Sequence, residues 1–228
     1  MSIIRKGALT EIVYERITQM LYDGLFPPGT PMTRKELAEK LSVSPTPVGE
    51  ALARLVGEGI VEQTEKSIYQ VKEFSYKNLE ALYAMRAGLE GIAVRLCTEN
   101  AADIVIDEIC SSFDGLLEKS AADLDIHAYM NADQRFHRKI VRFCDNPYII
   151  NYNKSYEFML RSYQKGLLRR PEETIEEHRS IIVAIKSRDG VAAQQKMTEH
   201  HLATCRVIRG MMGEDGNQVP VSGSSLTG

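Results

Sequence analysis

Several things are missing from these 228 residues, and each absence removes a class of protein. No stretch is apolar for long enough to span a bilayer, which sets membrane-spanning helices aside. The opening residues, MSIIRKGALTEIVYERI, lack the apolar core and cleavage site of a secretory signal, so a cytoplasmic protein is expected. The four cysteines (Cys97, Cys110, Cys144 and Cys205) stand singly, with no CxxC spacing. That argues against a disulfide framework and for reduced thiols in a core. Excess positive charge is lacking as well, because 28 Lys and Arg against 31 Asp and Glu leave a formal net charge of −3. A nucleic-acid binder with that balance must concentrate its positive charge locally, since phosphate contacts supply much of the affinity. No internal repeat at a fixed period is visible. What remains is an ordinary globular composition, 43% hydrophobic and 26% charged, in a chain long enough for two modest domains.

The most legible stretch runs from Thr33 to Glu62. Apolar residues recur at helical spacing in two short runs, Leu37-Ala38-Leu41 and Val48-Ala51-Leu52-Leu55-Val56, separated by Ser42-Val43-Ser44-Pro45. This is the pattern of a helix-turn-helix whose second helix would enter a DNA major groove. Thr33 with Glu36 reads as a capping box, and Ser44 with Pro45 reads as the start of the second helix. Ile60–Thr64 and Ile68–Val71 alternate like two strands around Glu65-Lys66-Ser67, a wing. Ahead of them, Leu9 to Gly24 is expected to be a helix with Thr10 as its N-cap. A stiff Phe26–Pro31 connector follows.

From Tyr76 onward the periodicity is helical throughout. Six helices are expected: Lys77 to Glu99, Ala101 to Lys119, Ala122 to Cys144, Pro147 to Leu168, Pro171 to Ser187, and Gly190 to Arg209. Asn146-Pro147, Arg170-Pro171 and Asp189-Gly190 fall between the runs. The expected fold is mainly α. A winged helix-turn-helix DNA-binding domain (1–75) precedes an all-helical antiparallel bundle (76–212), and a Gly/Ser-rich tail (213–228) follows.

The order of elements resembles the GntR family of bacterial transcription regulators, in its FadR branch with an FCD-type effector domain. The residues that carry the resemblance are Leu25-Phe26-Pro27-Pro28-Gly29-Thr30, Glu36-Leu37-Ala38, Val43 to Leu52 and Leu55 to Val61. The resemblance covers nearly the whole chain. It implies a homodimer on a double-stranded, pseudo-palindromic DNA operator, with a small-molecule effector bound by the helical domain. Two positions where the family usually carries Arg hold Pro45 and Gly49, and Lys66-Ser67-Ile68 replaces its Gly-rich wing tip. The DNA-contacting candidates are therefore Thr33, Arg34, Lys35, Ser44, Thr46, Arg54 and Lys66. For Arg34, Lys35 and Arg54 the alternative is a solvated helix face. With these contacts missing, affinity is expected to rest on dimer spacing and few phosphate contacts.

Polar residues on apolar stripes give the second line of argument. In the third helix of the C-terminal domain, Asp133 and His137 share a face with Tyr129, Phe136, Ile140 and Val141. A carboxylate on such a face is costly unless it is paired or bound to a metal. His178 shares a stripe with Ile175, Ile182 and Ile185, and His200 shares one with Ala193, Met197, Thr204 and Val207. Together they would supply one oxygen and three nitrogens to a divalent transition metal: zinc, nickel, manganese or iron. Hydrogen-bonded core histidines are the plain alternative. The resemblance implies Asp133, His137, His178 and His200 as the ligands, and the family spacing from His178 favours His200 over its neighbour His201.

A cation so bound keeps net positive charge and would attract a small carboxylate effector. Arg86, on the inward stripe of Lys77 to Glu99, would clamp that carboxylate unless it is spent on an i,i+4 pair with Glu90. The competing reading is a helical-bundle metalloenzyme, a metal-activated hydrolase. Against it, no spare inward carboxylate or histidine is evident as a general base. Neither an adjacent His-Asp pair nor a Glu-x-x-His pair is present. A purely structural metal is the third possibility.

Overall fold

A computed structural model describes residues 6–72, 75–119, 124–153 and 168–212. The chain divides into two compact units that meet at residues 74 and 75.

The first unit contains α1 (Lys6–Tyr22), β1 (Pro31–Thr33), α2 (Arg34–Leu41), α3 (Pro45–Gly57), β2 (Val61–Glu65) and β3 (Ile68–Val71). Val13, Ile17 and Leu21 of α1 pack with Leu37 and Ala38 of α2, Val48, Ala51, Leu52 and Leu55 of α3, and Tyr69 and Val71 of the wing. The capping box forms as expected. Thr33 Oγ1 accepts from the Glu36 amide at 3.2 Å, and the Glu36 carboxylate accepts from the Thr33 amide at 2.9 Å. Ser42 takes the left-handed conformation at the turn (φ 54).

Two local expectations are corrected and a third is extended. The first helix begins at Lys6, so Thr10 lies inside it and donates to Glu50 at 2.6 Å instead of capping. Ser44 holds the N-cap position of α3, yet its side chain makes no cap hydrogen bond. The connector is not merely a spacer. Its last residue opens β1, which pairs antiparallel with β3 (Met32 opposite Tyr69) in a sheet ordered β1-β3-β2. Pro31 is tolerated there because β1 is an edge strand.

The second unit contains α4 (Tyr76–Asn100), α5 (Asp103–Cys110), a 3-10 turn (Ser111–Phe113), α6 (Ile126–Phe143), α7 (Pro171–Lys186) and α8 (Gly190–Met211). Residues 147–153 are helical too, and the rest of the helix expected from Pro147 to Leu168 lies mostly outside the described residues. So does the tail from 213. The expected helix Ala101 to Lys119 is broken. It stops at Cys110, tightens into the 3-10 turn and reverses at Gly115, whose φ of 69 suits a residue without Cβ. This turn delivers Phe113 into the core, 1% exposed. The next helix starts at Ile126 rather than Ala122, because Asp125 caps it through the amides of His127 and Ala128. Helices α4 and α8 run antiparallel in close contact, with Arg209 on Glu80 at one end and Arg95 on Gln194 nearer the other. Gly91 permits that approach, since a Cβ there would fall 2.5 Å from Thr198 Oγ1. Among the described residues no helix is long and apolar enough to cross a membrane.

Candidate functional site

Helices α6, α7 and α8 turn their polar stripe residues toward one point. Asp133 and His137 lie one turn apart on α6, His178 on α7 and His200 on α8. Their ligand-capable atoms all lie within 4.8 Å of one another. Nε2 of His178 is 3.1 Å from Asp133 Oδ1 and 3.5 Å from Nε2 of His137, which is itself 3.7 Å from Asp133 Oδ1. Donors bound side by side to one ion at about 2.0–2.2 Å stand about 3 Å apart, so these spacings match a coordination shell.

The outer nitrogens show why the inner ones converge. Nδ1 of His137 bonds to Glu90 Oε2 at 2.6 Å and Nδ1 of His200 to Glu177 Oε2 at 2.7 Å. A carboxylate only accepts, so both Nδ1 atoms carry hydrogen. When these rings are neutral, each Nε2 is left with a lone pair. Nδ1 of His178 meets the hydroxyl of Tyr129 at 2.9 Å, and that hydroxyl shares a hydrogen bond with Thr174 at 2.7 Å. This is the outer-sphere arrangement that fixes imidazole orientation around a metal.

The charges agree. Glu90 is held by Arg86 at 2.7 Å, and Glu177 by both terminal nitrogens of Arg169 at 2.7 Å. Burial works to raise the Glu90 pKa, but Arg86 and the neighbouring histidines hold it well below the usual carboxylate range. Glu177 is brought down to about 2, against its burial, by His200 and Arg169. Burial lowers His178 below its ordinary value and brings His200 down to about 4, leaving neutral rings. His137 departs from them. Burial again works to lower it, yet Glu90 and Asp133 push it up to about 9. Without a cation the cluster thus retains a proton on His137, facing Asp133. The donor set fits a divalent cation that would replace that proton.

Two carboxylates hold the cluster from outside. Glu90, expected only as the partner of Arg86, and Glu177, which the sequence did not single out, both face the histidines. Each is engaged by histidine and arginine, so neither is a spare general base, and each orients a candidate ligand. His201 is fully buried alongside His200, and its Nε2 donates to Glu90 Oε2 at 3.0 Å. Its Nδ1 has no hydrogen-bond partner among the described residues. Glu90, His137 and His201 also form a second close group. Arg86 makes the i,i+4 pair with Glu90, and its guanidinium lies 5.1 Å from the Tyr83 ring.

In the first unit the candidates differ in what already holds them. Thr33 is the N-cap of α2, and exposed Lys35 approaches Glu39 at 4.0 Å. Arg34 bonds to Tyr69. Ser44 and Thr46 stand exposed at the start of α3, and Lys66 stands exposed in the turn between β2 and β3. Arg54 binds Glu11 at 2.8 Å and Glu58 at 3.0 Å, and lies 3.7 Å from the Tyr14 ring, bracing α1 on α3.

Comparison with known proteins places the chain in a family. The model of bacterial regulatory proteins of the gntR family matches residues 9–67, and that of the FCD domain matches residues 81–203. The probable D-xylose utilization operon transcriptional repressor of Paenarthrobacter nicotinovorans is 29% identical over 193 residues, 84% of each chain. The HTH-type transcriptional repressor GlaR of Escherichia coli (strain K12) is 23% identical over 209 residues, covering 87% of this chain and 95% of its own. Among solved structures, E. coli McbR/YncC superposes with a TM-score of 0.65 at 23% identity, covering 90% of this chain and 99% of its own. A putative transcriptional regulator GntR from Rhodococcus sp. RHA1 gives 0.64 at 19%, covering 88% and 97%. At these identities the two structures speak for the fold alone.

Proposed function

Because the chain belongs to the GntR family of bacterial regulatory proteins and carries an FCD domain, we propose that this DNA-binding transcription regulator is controlled by a cation and a small carboxylate. In this reading it acts in the cytoplasm as a homodimer on a pseudo-palindromic operator. Residues 1–75 contact DNA and residues 76–212 sense the effector. Asp133, His137, His178 and His200 hold a divalent transition metal: zinc, nickel, manganese or iron.

The observation that carries the reading is the convergence of imidazole nitrogens on Asp133 while each outer nitrogen is tied to an oxygen. Glu90 and Glu177 already have cationic partners. A divalent ion facing only Asp133 and neutral rings therefore keeps net positive charge, which draws an organic anion. Asp133 is partly exposed, which leaves an approach from solvent. Arg86 is spent on its i,i+4 pair with Glu90, so it would meet the effector carboxylate only by giving up that pair. To change DNA affinity, the effector must bind one arrangement of the dimer more tightly than another.

A gel-shift assay on DNA flanking its own gene tests this, run with metal-loaded and chelated protein across a panel of small carboxylic acids. One or more acids should shift the affinity of the loaded protein only. An affinity indifferent to metal and to every acid would sink the effector reading, and absence of binding at low salt would sink the regulator.

A further inference from the structure

Helix α3 carries little that can read a base edge. Its first two turns offer Pro45, Thr46, Pro47, Val48, Gly49 and Glu50, with no cation among them. Its one basic residue, Arg54, is given to Glu11, Glu58 and the Tyr14 ring.

A cation reaches the middle of α3 from outside it. Arg34, the first residue of α2, crosses to Gly49, where its Cδ, Nε and Nη1 each lie 3.5 Å from the place a Cβ would occupy. A side chain longer than alanine at position 49 would contest that volume. Tyr69 of β3 then fixes the guanidinium, its hydroxyl accepting from Nε at 3.1 Å and from Nη2 at 2.7 Å. Tyr69 is 2% exposed, so the anchor belongs to the core of the wing. A guanidinium has five N–H groups, and two are used here. Among the described residues nothing accepts from the remaining three, which lie along the Nη1–Nη2 edge, and Arg34 is an exposed residue. Two parallel donors on that edge have the shape that pairs with O6 and N7 of guanine. Holding the long side chain in place beforehand removes part of the ordering cost of binding.

We propose that Arg34, held by Tyr69 across Gly49, is the residue with which the winged unit reads a guanine in the major groove. The inference rests on the DNA-binding reading and adds which side chain sets specificity. Gly49 is the vacancy that lets a residue of α2 do what α3 has no cation to do.

The test is selection from a random duplex pool with the full chain, comparing wild type with R34A, R34K and Y69F after melting curves show each is folded. The wild type should enrich half-sites with a fixed guanine. R34A and R34K should lose preference at that position alone and keep it elsewhere. Binding of R34A to the wild-type operator should fall about tenfold or more per half-site. Y69F should weaken the same guanine preference by a smaller factor. Unchanged selection by R34A overturns the proposal. So does a uniform loss on all duplexes with a salt slope reduced by about one, the mark of a phosphate contact. An unchanged preference in Y69F overturns the role of the brace. If the wild type enriches no sequence, the DNA-binding reading fails and the inference fails with it.

Discussion

Glu90 on α4 takes the Nδ1 hydrogen of His137 at 2.6 Å, and so turns the other ring nitrogen of His137 toward Asp133. The same carboxylate takes Nε2 of His201 at 3.0 Å and Nε of Arg86 at 2.7 Å. One side chain therefore aims a candidate ligand and neutralises a buried arginine.

Removing that aim should weaken metal binding without removing a ligand. Glu90→Gln is expected to lower metal affinity about 10- to 100-fold, read by competition with a chromophoric chelator. Glu90→Ala should in addition destabilise the helical unit by about 3–5 kcal/mol, since it takes a charged partner from Arg86 in a buried place. If Glu90→Gln binds metal as the wild type does, the carboxylate is not a positioning group.

Adjacent histidines on α8 should separate cleanly. His178→Ala and His200→Ala are expected to abolish stoichiometric metal after dialysis, whereas His201→Leu should retain it, as elemental analysis would show. Retention in the His200 variant with loss in the His201 variant would move the ligand to His201.

Gly49 should be replaceable by one specific residue. An alanine Cβ would meet Arg34 at 3.5 Å, ordinary van der Waals contact. Glycine within a helix costs about 0.5–1 kcal/mol relative to alanine. Gly49→Ala should therefore raise the melting temperature of the winged unit by several degrees in calorimetry, and a lowered one would mean the contact is already strained.

The four cysteines should be inert in the folded chain. All are buried, and loss of solvation pushes the Cys97 thiol up to about 12 and the Cys110 thiol to about 11. Because the thiolate is the reactive form, raising these values removes reactivity at ordinary pH. A disulfide exchange reagent at pH 8 should find no fast thiol in the native protein and four after denaturation. A fast native thiol would place that cysteine nearer solvent than described.

The fold was legible where local chemistry decides it. The Thr33 and Glu36 capping box, the turn before Pro45 and the helical stripe carrying Asp133 and His137 could all be read from spacing alone. The site was legible only in part. Arg86 and Glu90 look locally like any i,i+4 pair. That Glu90 is buried depends on His137 and His201, 47 and 111 residues further along. The choice of His200 over His201 rested on the family spacing from His178, because the apolar stripe hardly separates the two. The structure shows why: α8 is packed on two sides, against α7 and against α4, so neighbouring residues are both enclosed. β1 escaped notice because three residues including a proline carry no alternation to read. The break after Cys110 was masked by apolar residues that continue past it.

The ligand cluster also has a consequence in time. Its members come from three helices spread along the chain and are held by a fourth, so the cluster exists only once all four have docked. An ion bound there recognises the finished structure and nothing before it. Such an ion should leave the folding rate unchanged and lengthen the lifetime of the folded state, because interactions absent from the transition state act on unfolding alone. The supply of free cation would then set how long each copy of the regulator survives proteolysis.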